Sequence, residues 1–247
     1  MFNFTPVARP QVEPVSLKSL THRNGFGSAP SDFVHKNIRP ENVVLFPSAN
    51  CPIGSAYLLG LTQFRSLTHQ TNLLGDAAWH RNLYRHPTRQ GLRLLNEYVM
   101  QHDIYSLGVC LLEIGLWKSL VWYPKREAGD DVLVGAAATL GEGVPAAAPV
   151  PGFALALSPP LTDKIFERAH VGNRTEWVKE GLLAMATTLL PARMGDMYTR
   201  IVKTCLTCLD EGNDDFGVVG EEGEVNGVTV GVRFVEKILA EMGEIRV

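Results

Sequence analysis

The pattern of apolar residues in the sequence predicts a mainly helical α+β fold. Apolar side chains recur at helical spacing through HDIYSLGVCLLEIGLW, residues 102–117, and cover nearly every side of that helix, which is typical of a helix at the centre of a core. The apolar runs Val43–Phe46 and Tyr57–Leu59, with Gly54 between them, predict a two-stranded hairpin. Further helical patterns occupy Leu161–His170, Glu176–Leu190, Met197–Leu209 and Val230–Met242.

Composition narrows the class of protein. The chain has 247 residues, of which 45% are hydrophobic and 20% charged, as in an ordinary globular domain. Its formal net charge of -3 is spread along the sequence, so neither nucleic acid nor an anionic membrane is an expected partner. The sequence predicts no signal peptide and no membrane span, because no stretch reaches about 18 consecutive apolar residues.

The cysteines favour a reducing compartment. Cys51, Cys110, Cys205 and Cys208 are too few and too scattered for a disulfide framework, so we expect an intracellular, cytoplasmic location. The C-x-x-C spacing of the last two could mark a redox pair or half of a zinc site. Because the pair lies inside an apolar helical pattern, two core cysteines are the favoured interpretation.

Changes in composition suggest how the chain is divided. Residues 1–30 contain several prolines and glycines and are predicted to be an irregular N-terminal segment. Residues 31–247 are predicted to form the domain. Within it, residues 126–160 are rich in Ala, Gly, Val and Pro and predict a flexible insertion, while the polar stretch 65–91 predicts a loop.

The segment FVHKNIRPENVVLF, residues 33–46, carries the strongest functional signal. It resembles the catalytic loop of protein kinases, which reads H-R-D-L-x-x-x-N and runs into a short strand. His35 and Lys36 take the positions of the family's His and Arg. Asn37 takes the position of the catalytic Asp, and Asn42 that of the metal-binding Asn. Arg39 begins an R-P-E sequence that matches the K-P-E common there.

Later motifs follow in the order of the same family. Gln63-Phe64-Arg65 stands where D-F-G is expected, and His86-Pro87-Thr88 stands where A-P-E is expected. The sequence DIYSLG, residues 103–108, resembles the start of the central helix of the kinase large lobe. The resemblance implies that the carboxylate of this helix accepts backbone hydrogen bonds from the loop. The residues to which it assigns structural roles are His35, Phe64, Pro87, Asp103 and Gly108.

The resemblance implies the C-terminal lobe of a protein-kinase-like fold, helical with short β-hairpins. Motifs cover about residues 33–120, and helical patterns alone cover 160–245. The amino-acid sequences of the motifs are most similar to those of fungal kinase-like and pseudokinase domains of prion-inhibition and heterokaryon-incompatibility type proteins. The N-terminal lobe is expected to be missing or truncated, because the 34 residues before His35 cannot build its strands and helix.

The residues at the catalytic and metal-binding positions of the motifs predict that the protein does not catalyse phosphoryl transfer. Kinases use one carboxylate as the acceptor of the substrate proton and another to hold magnesium. Asn37 and Gln63 replace both, and a neutral amide is a poor base and a poorer ligand for a hard cation. We therefore expect no catalytic residues and no metal, with Asn42 and Gln63 as degenerate metal positions. No cofactor is expected, and magnesium-ATP would bind only if residual affinity survives.

The resemblance thus implies a pseudokinase that acts in signalling through a protein partner. Association is expected through the exposed face that the small lobe normally covers. Two alternatives stay open. The chain could be an atypical active protein Ser/Thr kinase in which Asn42 holds a metal and Arg39 contacts phosphate, or a fragment of a longer kinase-domain protein.

Other patterns have simpler interpretations. Asp215–Gly217 is a literal D-F-G, but it follows the helices instead of the loop and is predicted to be a turn. His69, His80 and His86 are predicted to be surface loop residues, with a metal site as the alternative. The final helix is predicted to pack a broad apolar face that includes Val235 against the core, with a partner-binding helix as the alternative.

Overall fold

The computed structural model describes residues 33–48, 51–60, 65–66, 74–94, 96–122, 148–149, 162–167, 175–216 and 227–245. The predicted irregular segment 1–30 and nearly all of the predicted insertion 126–160 lie outside these residues. Within the described ranges, no helix has both the length and the apolar character needed to cross a membrane.

The described part of the chain is mainly helical, as the sequence predicts. Its helices are α1 (Trp79–Asn82), α2 (Met100–Leu116), α3 (Asp163–Glu167), α4 (Glu176–Leu189), α5 (Pro191–Leu206), α6 (Gly227–Phe234) and α7 (Ala240–Glu244). A π-helical turn, Val235–Leu239, joins the last two, and 3-10 turns lie at Pro40–Asn42 and Pro87–Arg89.

The strands are short and pair in antiparallel couples. They are β1 (Phe33–Val34), β2 (Val43–Ser48), β3 (Cys51–Leu58), β4 (Arg65–Ser66), β5 (Leu74–Asp76), β6 (Gly91–Arg93), β7 (Val121–Trp122) and β8 (Ala148–Pro149). The pairs are β1 with β4, β2 with β3, β5 with β6, and β7 with β8. The predicted hairpin is confirmed as β2–β3. Strand β8 falls within the predicted insertion, so this short stretch of the insertion is paired with β7.

Helix α2 lies at the centre of the core, which confirms the prediction from its apolar pattern. Ile104, Tyr105, Val109 and Leu112 are all at most 2% exposed. Helices α4 and α5 pack against α2 and against each other. The hydroxyl of Tyr198 on α5 donates a 2.7 Å hydrogen bond to the Leu111 carbonyl, so a buried polar group is satisfied where the two helices meet.

The polar stretch 65–91 is more structured than the predicted loop. Asn82 is fully buried: its side-chain nitrogen donates to the Asp76 and Ala78 carbonyls, and its oxygen accepts from Gly91 N. The side chain of Gln90 donates to the Asn82 and Arg85 carbonyls. Side-chain amides hold this segment, which has no apolar periodicity. The prediction of a loop therefore misses β4, β5, α1 and the start of β6.

The later helices differ from the prediction in where they begin and in which side chains they bury. Helix α5 begins at Pro191 instead of Met197, with a break at Gly195, whose φ of 79° is left-handed and suits glycine. Val235, predicted to face the core, is 54% exposed. It begins the π-helical turn, in which each residue turns less about the axis, so the apolar face shifts relative to a regular α-helix.

Candidate functional site

A buried carboxylate anchors the HKNIRPEN loop, residues 35–42, to helix α2. Asp103 Oδ2 accepts a 2.6 Å hydrogen bond from His35 N, and Oδ1 accepts one of 2.9 Å from Lys36 N. The Tyr98 hydroxyl donates to the same Oδ1 at 2.6 Å. Burial raises the pKa of Asp103, and these three donors oppose that shift because they favour the carboxylate. This is the contact that the sequence resemblance implies for Asp103.

The anchored end of the loop has an unusual backbone conformation. Lys36 has a φ of 66°, in the left-handed region that few residues other than glycine adopt. Its ammonium nitrogen lies 5.0 Å from the centroid of the Tyr98 ring, a cation–π contact. His35 is buried, and burial lowers the pKa of its imidazole, against the opposing effects of Asp103 and the Leu59 backbone. At the start of the loop His35 is therefore buried, and Lys36 is half-buried against Tyr98.

The far end of the loop brings two amide side chains together. Asn42 Nδ2 donates a 2.6 Å hydrogen bond to the Asn37 carbonyl, and Leu59 N donates one of 2.7 Å to the Asn42 carbonyl. Gly60, with a φ of 90°, packs beside both amides: a Cβ there would lie 3.2 Å from Asn37 Nδ2 and 3.3 Å from Asn42 Nδ2. Gly60 was not predicted as a site residue, although a glycine shortly after the second strand of the hairpin indicates a turn there.

Magnesium-ATP is the cofactor that a kinase-like loop implies, and we tested whether these residues fit it. Asn37 and Asn42 offer neutral amides, and Asn42 Nδ2 is engaged with the loop's own backbone. The nearby carboxylate of Asp103 already accepts three hydrogen bonds. Hard divalent cations prefer carboxylate oxygens, so this donor set does not fit a pair of magnesium ions. Nor do the described residues contain a group of three or more His, Cys, Asp or Glu side chains placed to hold a metal ion.

The remaining motif positions are only partly covered by the structure. Gln63 and Phe64 lie outside the described residues. Arg65 is in β4, where its backbone pairs with Val34 of β1, next to the loop. Pro87 is buried in a 3-10 turn. Gly108 lies on α2 where it approaches α5.

A buried pair of histidines joins the His86-Pro87-Thr88 turn to α2. Thr88 Oγ1 lies 2.9 Å from His86 Nδ1 and 3.3 Å from His102 Nε2. Burial, together with the smaller effect of the Lys179 charge, lowers the pKa of His86 to about 3. Burial also lowers the pKa of His102 to about 3, with His86 and Arg89 acting in the same direction. The prediction that His86 is a surface residue is therefore wrong, because this turn packs under the helix.

We expect the free energy of unfolding to fall as the pH falls from about 6.5 towards 3. Below the ordinary histidine pKa of 6.5, His86 and His102 are protonated in the unfolded chain but stay neutral in the folded one. The unfolded state then binds more protons, so stability is lost with acidification at about 1.4 kcal/mol per pH unit for each residue. Urea unfolding at a series of pH values between about 5 and 6.5, where most carboxylates stay ionised, measures the slope.

A His102→Gln variant is the control for this pH dependence. It removes one of the two buried imidazoles, so its unfolding free energy should vary less steeply with pH than that of the unchanged protein. If the stability of His102→Gln varies with pH as steeply as that of the unchanged protein, the His102 imidazole titrates normally in the folded state.

The C-x-x-C and D-F-G sequences have structural roles. Cys205 and Cys208 are buried free thiols whose pKa values burial raises, which is the opposite of a reactive cysteine. Phe216 packs into the core, and Asn213 Oδ1 accepts hydrogen bonds from Asp215 N and Phe216 N. The predicted core cysteines and the predicted turn are both confirmed. His80 is half-buried and His69 lies outside the described residues.

Comparison with known proteins finds no similar family or structure. No protein-family model, no curated protein and no solved structure matches the chain. The kinase-like resemblance stays a prediction made from the sequence motifs.

Proposed function

We propose that this protein is a catalytically inactive, kinase-like module that acts by binding a protein partner. The observation that carries the proposal is the chemistry of the anchored loop. Asp103 holds the loop by two backbone hydrogen bonds, as the kinase resemblance implies, yet the position of the proton acceptor holds Asn37. An amide does not accept a proton at useful rates, and losing a general base costs about 10² to 10⁴ in rate.

The β2–β3 hairpin supports the part of the proposal that concerns a partner. Leu45 and Phe46 are 47% and 58% exposed, and Val43, Tyr57 and Leu59 are also exposed. Because successive side chains of a strand point to opposite faces, Leu45 and Phe46 expose apolar surface on both faces of the hairpin. Clustered exposed apolar side chains mark interaction surfaces. The resemblance implies that the partner would bind the face that a small lobe covers in kinases. A protein partner with an apolar surface is the occupant we propose, in the cytoplasm, where thiols such as Cys205 stay reduced.

We expect magnesium-ATP to leave the melting temperature of the full chain unchanged. A ligand that binds the folded state at 100 times its Kd adds about 2.7 kcal/mol of stability, so real binding would be visible by thermal shift. We also expect no transfer of radiolabelled phosphate to a generic protein substrate, because no group at Asn37 accepts the proton.

The Asn42→Ala variant separates the two functional hypotheses. If the unchanged protein transfers phosphate with magnesium and Asn42→Ala abolishes that transfer, the loop is catalytic and the atypical-kinase alternative replaces the proposal. Transfer that is indifferent to Asn42→Ala comes from a contaminating kinase and leaves the loop inactive.

A further inference from the structure

The β2–β3 hairpin stands apart from the helical core. Its two strands pair with each other, and among the described elements they pack extensively only against each other. An isolated two-stranded hairpin is marginally stable in water, and a third strand or a covering element usually stabilises it. The hairpin therefore has the features of a sheet that is completed by another strand.

The outer edge of β2 presents backbone groups for such a strand. Leu59 N donates to the Asn42 carbonyl, which makes these two residues a hydrogen-bonded pair of the ladder. Hydrogen-bonded pairs alternate with non-hydrogen-bonded pairs in an antiparallel ladder, so the N–H and C=O of Leu45 point away from β3. The N–H of Val43 points the same way but donates to the Pro40 carbonyl. Leu45 is thus the residue of this edge whose donor and acceptor both face outward without a backbone partner among the described residues.

The hairpin carries no charge. Residues 43–58 contain no Asp, Glu, Lys, Arg or His. Natural proteins commonly place charged side chains on exposed edge strands, because the charges prevent pairing between copies. No side chain of this hairpin would repel an identical hairpin, and a strand that pairs with it needs no complementary charge.

We propose that the edge of β2 binds the same edge of a second copy of this chain, which gives a continuous four-stranded sheet. With a two-fold axis at Leu45, its N–H donates to the carbonyl of the same residue in the other copy, and the reverse. Val44 of one copy then lies opposite Phe46 of the other, a favourable pair of a β-branched and an aromatic side chain. Pro47, which has no N–H, falls opposite Val43, whose N–H is already used, so no donor loses its acceptor.

The size of the surface sets the expected strength of the dimer. The exposed apolar side chains of the hairpin region are Val43, Leu45, Phe46, Tyr57 and Leu59. They cover less than the roughly 800 Å² per partner that stable interfaces bury, and smaller interfaces are weak and reversible. We therefore expect a dissociation constant on the order of 10 to 100 μM. The inference rests on the proposed function in taking the hairpin as the partner-binding surface, and it names the partner.

Sedimentation velocity of the full chain at concentrations from about 5 to 200 μM tests the dimer. We expect a reversible shift from monomer to dimer. Leu45→Lys should weaken the dimer at least tenfold, since two like charges then lie directly opposite each other and two apolar contacts are lost. The matched control is Ile114→Lys, which places the same charge on a branched aliphatic residue that is 53% exposed at the C-terminal end of α2. That variant should dimerise as the unchanged protein does.

A mixture of charge variants separates loss of the interface from loss of the fold. Leu45→Lys mixed with Leu45→Glu should form a heterodimer more tightly than either variant forms a homodimer, because opposite charges then meet across the two-fold axis. If circular dichroism shows that either variant is unfolded, Leu45→Thr takes its place, and the smaller apolar surface should weaken the dimer at least threefold. A chain that stays monomeric up to about 200 μM, or a dimer that is indifferent to substitution of Leu45, overturns the proposal.

The outcomes for this inference and for the proposed function are distinguishable. Transfer of phosphate that depends on Asn42, by a chain that dimerises through β2, would overturn the proposed function and leave this inference intact. A chain that stays monomeric and neither binds magnesium-ATP nor transfers phosphate would overturn this inference and leave the proposed function intact, with a different protein as the occupant of the hairpin.

Discussion

Replacing Asp103 with alanine should lower the free energy of unfolding by about 3 to 5 kcal/mol. The carboxylate accepts hydrogen bonds from His35 N, Lys36 N and the Tyr98 hydroxyl, all within 2.9 Å. Its removal leaves these donors buried or partly buried without an acceptor, and each such donor costs about 1 to 3 kcal/mol. Urea unfolding followed by circular dichroism measures the loss.

Tyr98→Phe is the matched control for this substitution. It removes one of the three donors and leaves both backbone hydrogen bonds to Asp103 in place, so it should cost much less than Asp103→Ala. If the two variants lose the same stability, the anchoring of the loop contributes little and the contact of Asp103 with His35 and Lys36 is incidental.

Gly108→Val should strongly destabilise the packing of α2 against α5. A Cβ at this position would lie 2.7 Å from Cys205 Cβ and 3.3 Å from the Cys205 carbonyl carbon and Leu206 N. Two of these three atoms belong to the α5 backbone, so a side-chain rotation cannot relieve the contact, and the helices must move apart. Overpacking of a core typically costs about 1 to 3 kcal/mol for small insertions, and the branched side chain should exceed that range.

Two alanine variants are the controls for this substitution. Gly108→Ala should cost about 1 to 3 kcal/mol for the same reason. Gly243→Ala in α7, where a Cβ meets nothing within 4 Å, should be neutral or stabilising by up to about 1 kcal/mol. Thermal unfolding that ranks Gly108→Val no lower than Gly243→Ala would contradict the close approach of α2 and α5.

Several elements were predictable because their signals are local. The hairpin β2–β3 and the buried helix α2 follow from apolar patterns over a few residues. The turn at Asp215–Phe216 follows from its short polar side chains, which hydrogen-bond nearby backbone. The contact of Asp103 with His35, which are separated by 68 residues, is one that the resemblance to the kinase loop implies.

Other features were not predictable because they depend on residues far apart in the sequence. Asn82 and Gln90 are buried by hydrogen bonds that no apolar pattern marks. His86 is buried because its turn packs under α2. Val235 is exposed because a π-helical turn shifts the helix face.

The sequence by itself determined much of the secondary structure of the core, and its resemblance to the kinase loop implied which segment α2 holds. Both depend on the order of residue types along the chain, since periodicity selects helix or strand and the motifs are read along the sequence. Only the tertiary structure decided how Arg39 from the loop meets Arg81 and Arg85 from the segment around α1. The charge of such a cluster depends on which side chains converge in space, and no pattern along the chain specifies that convergence.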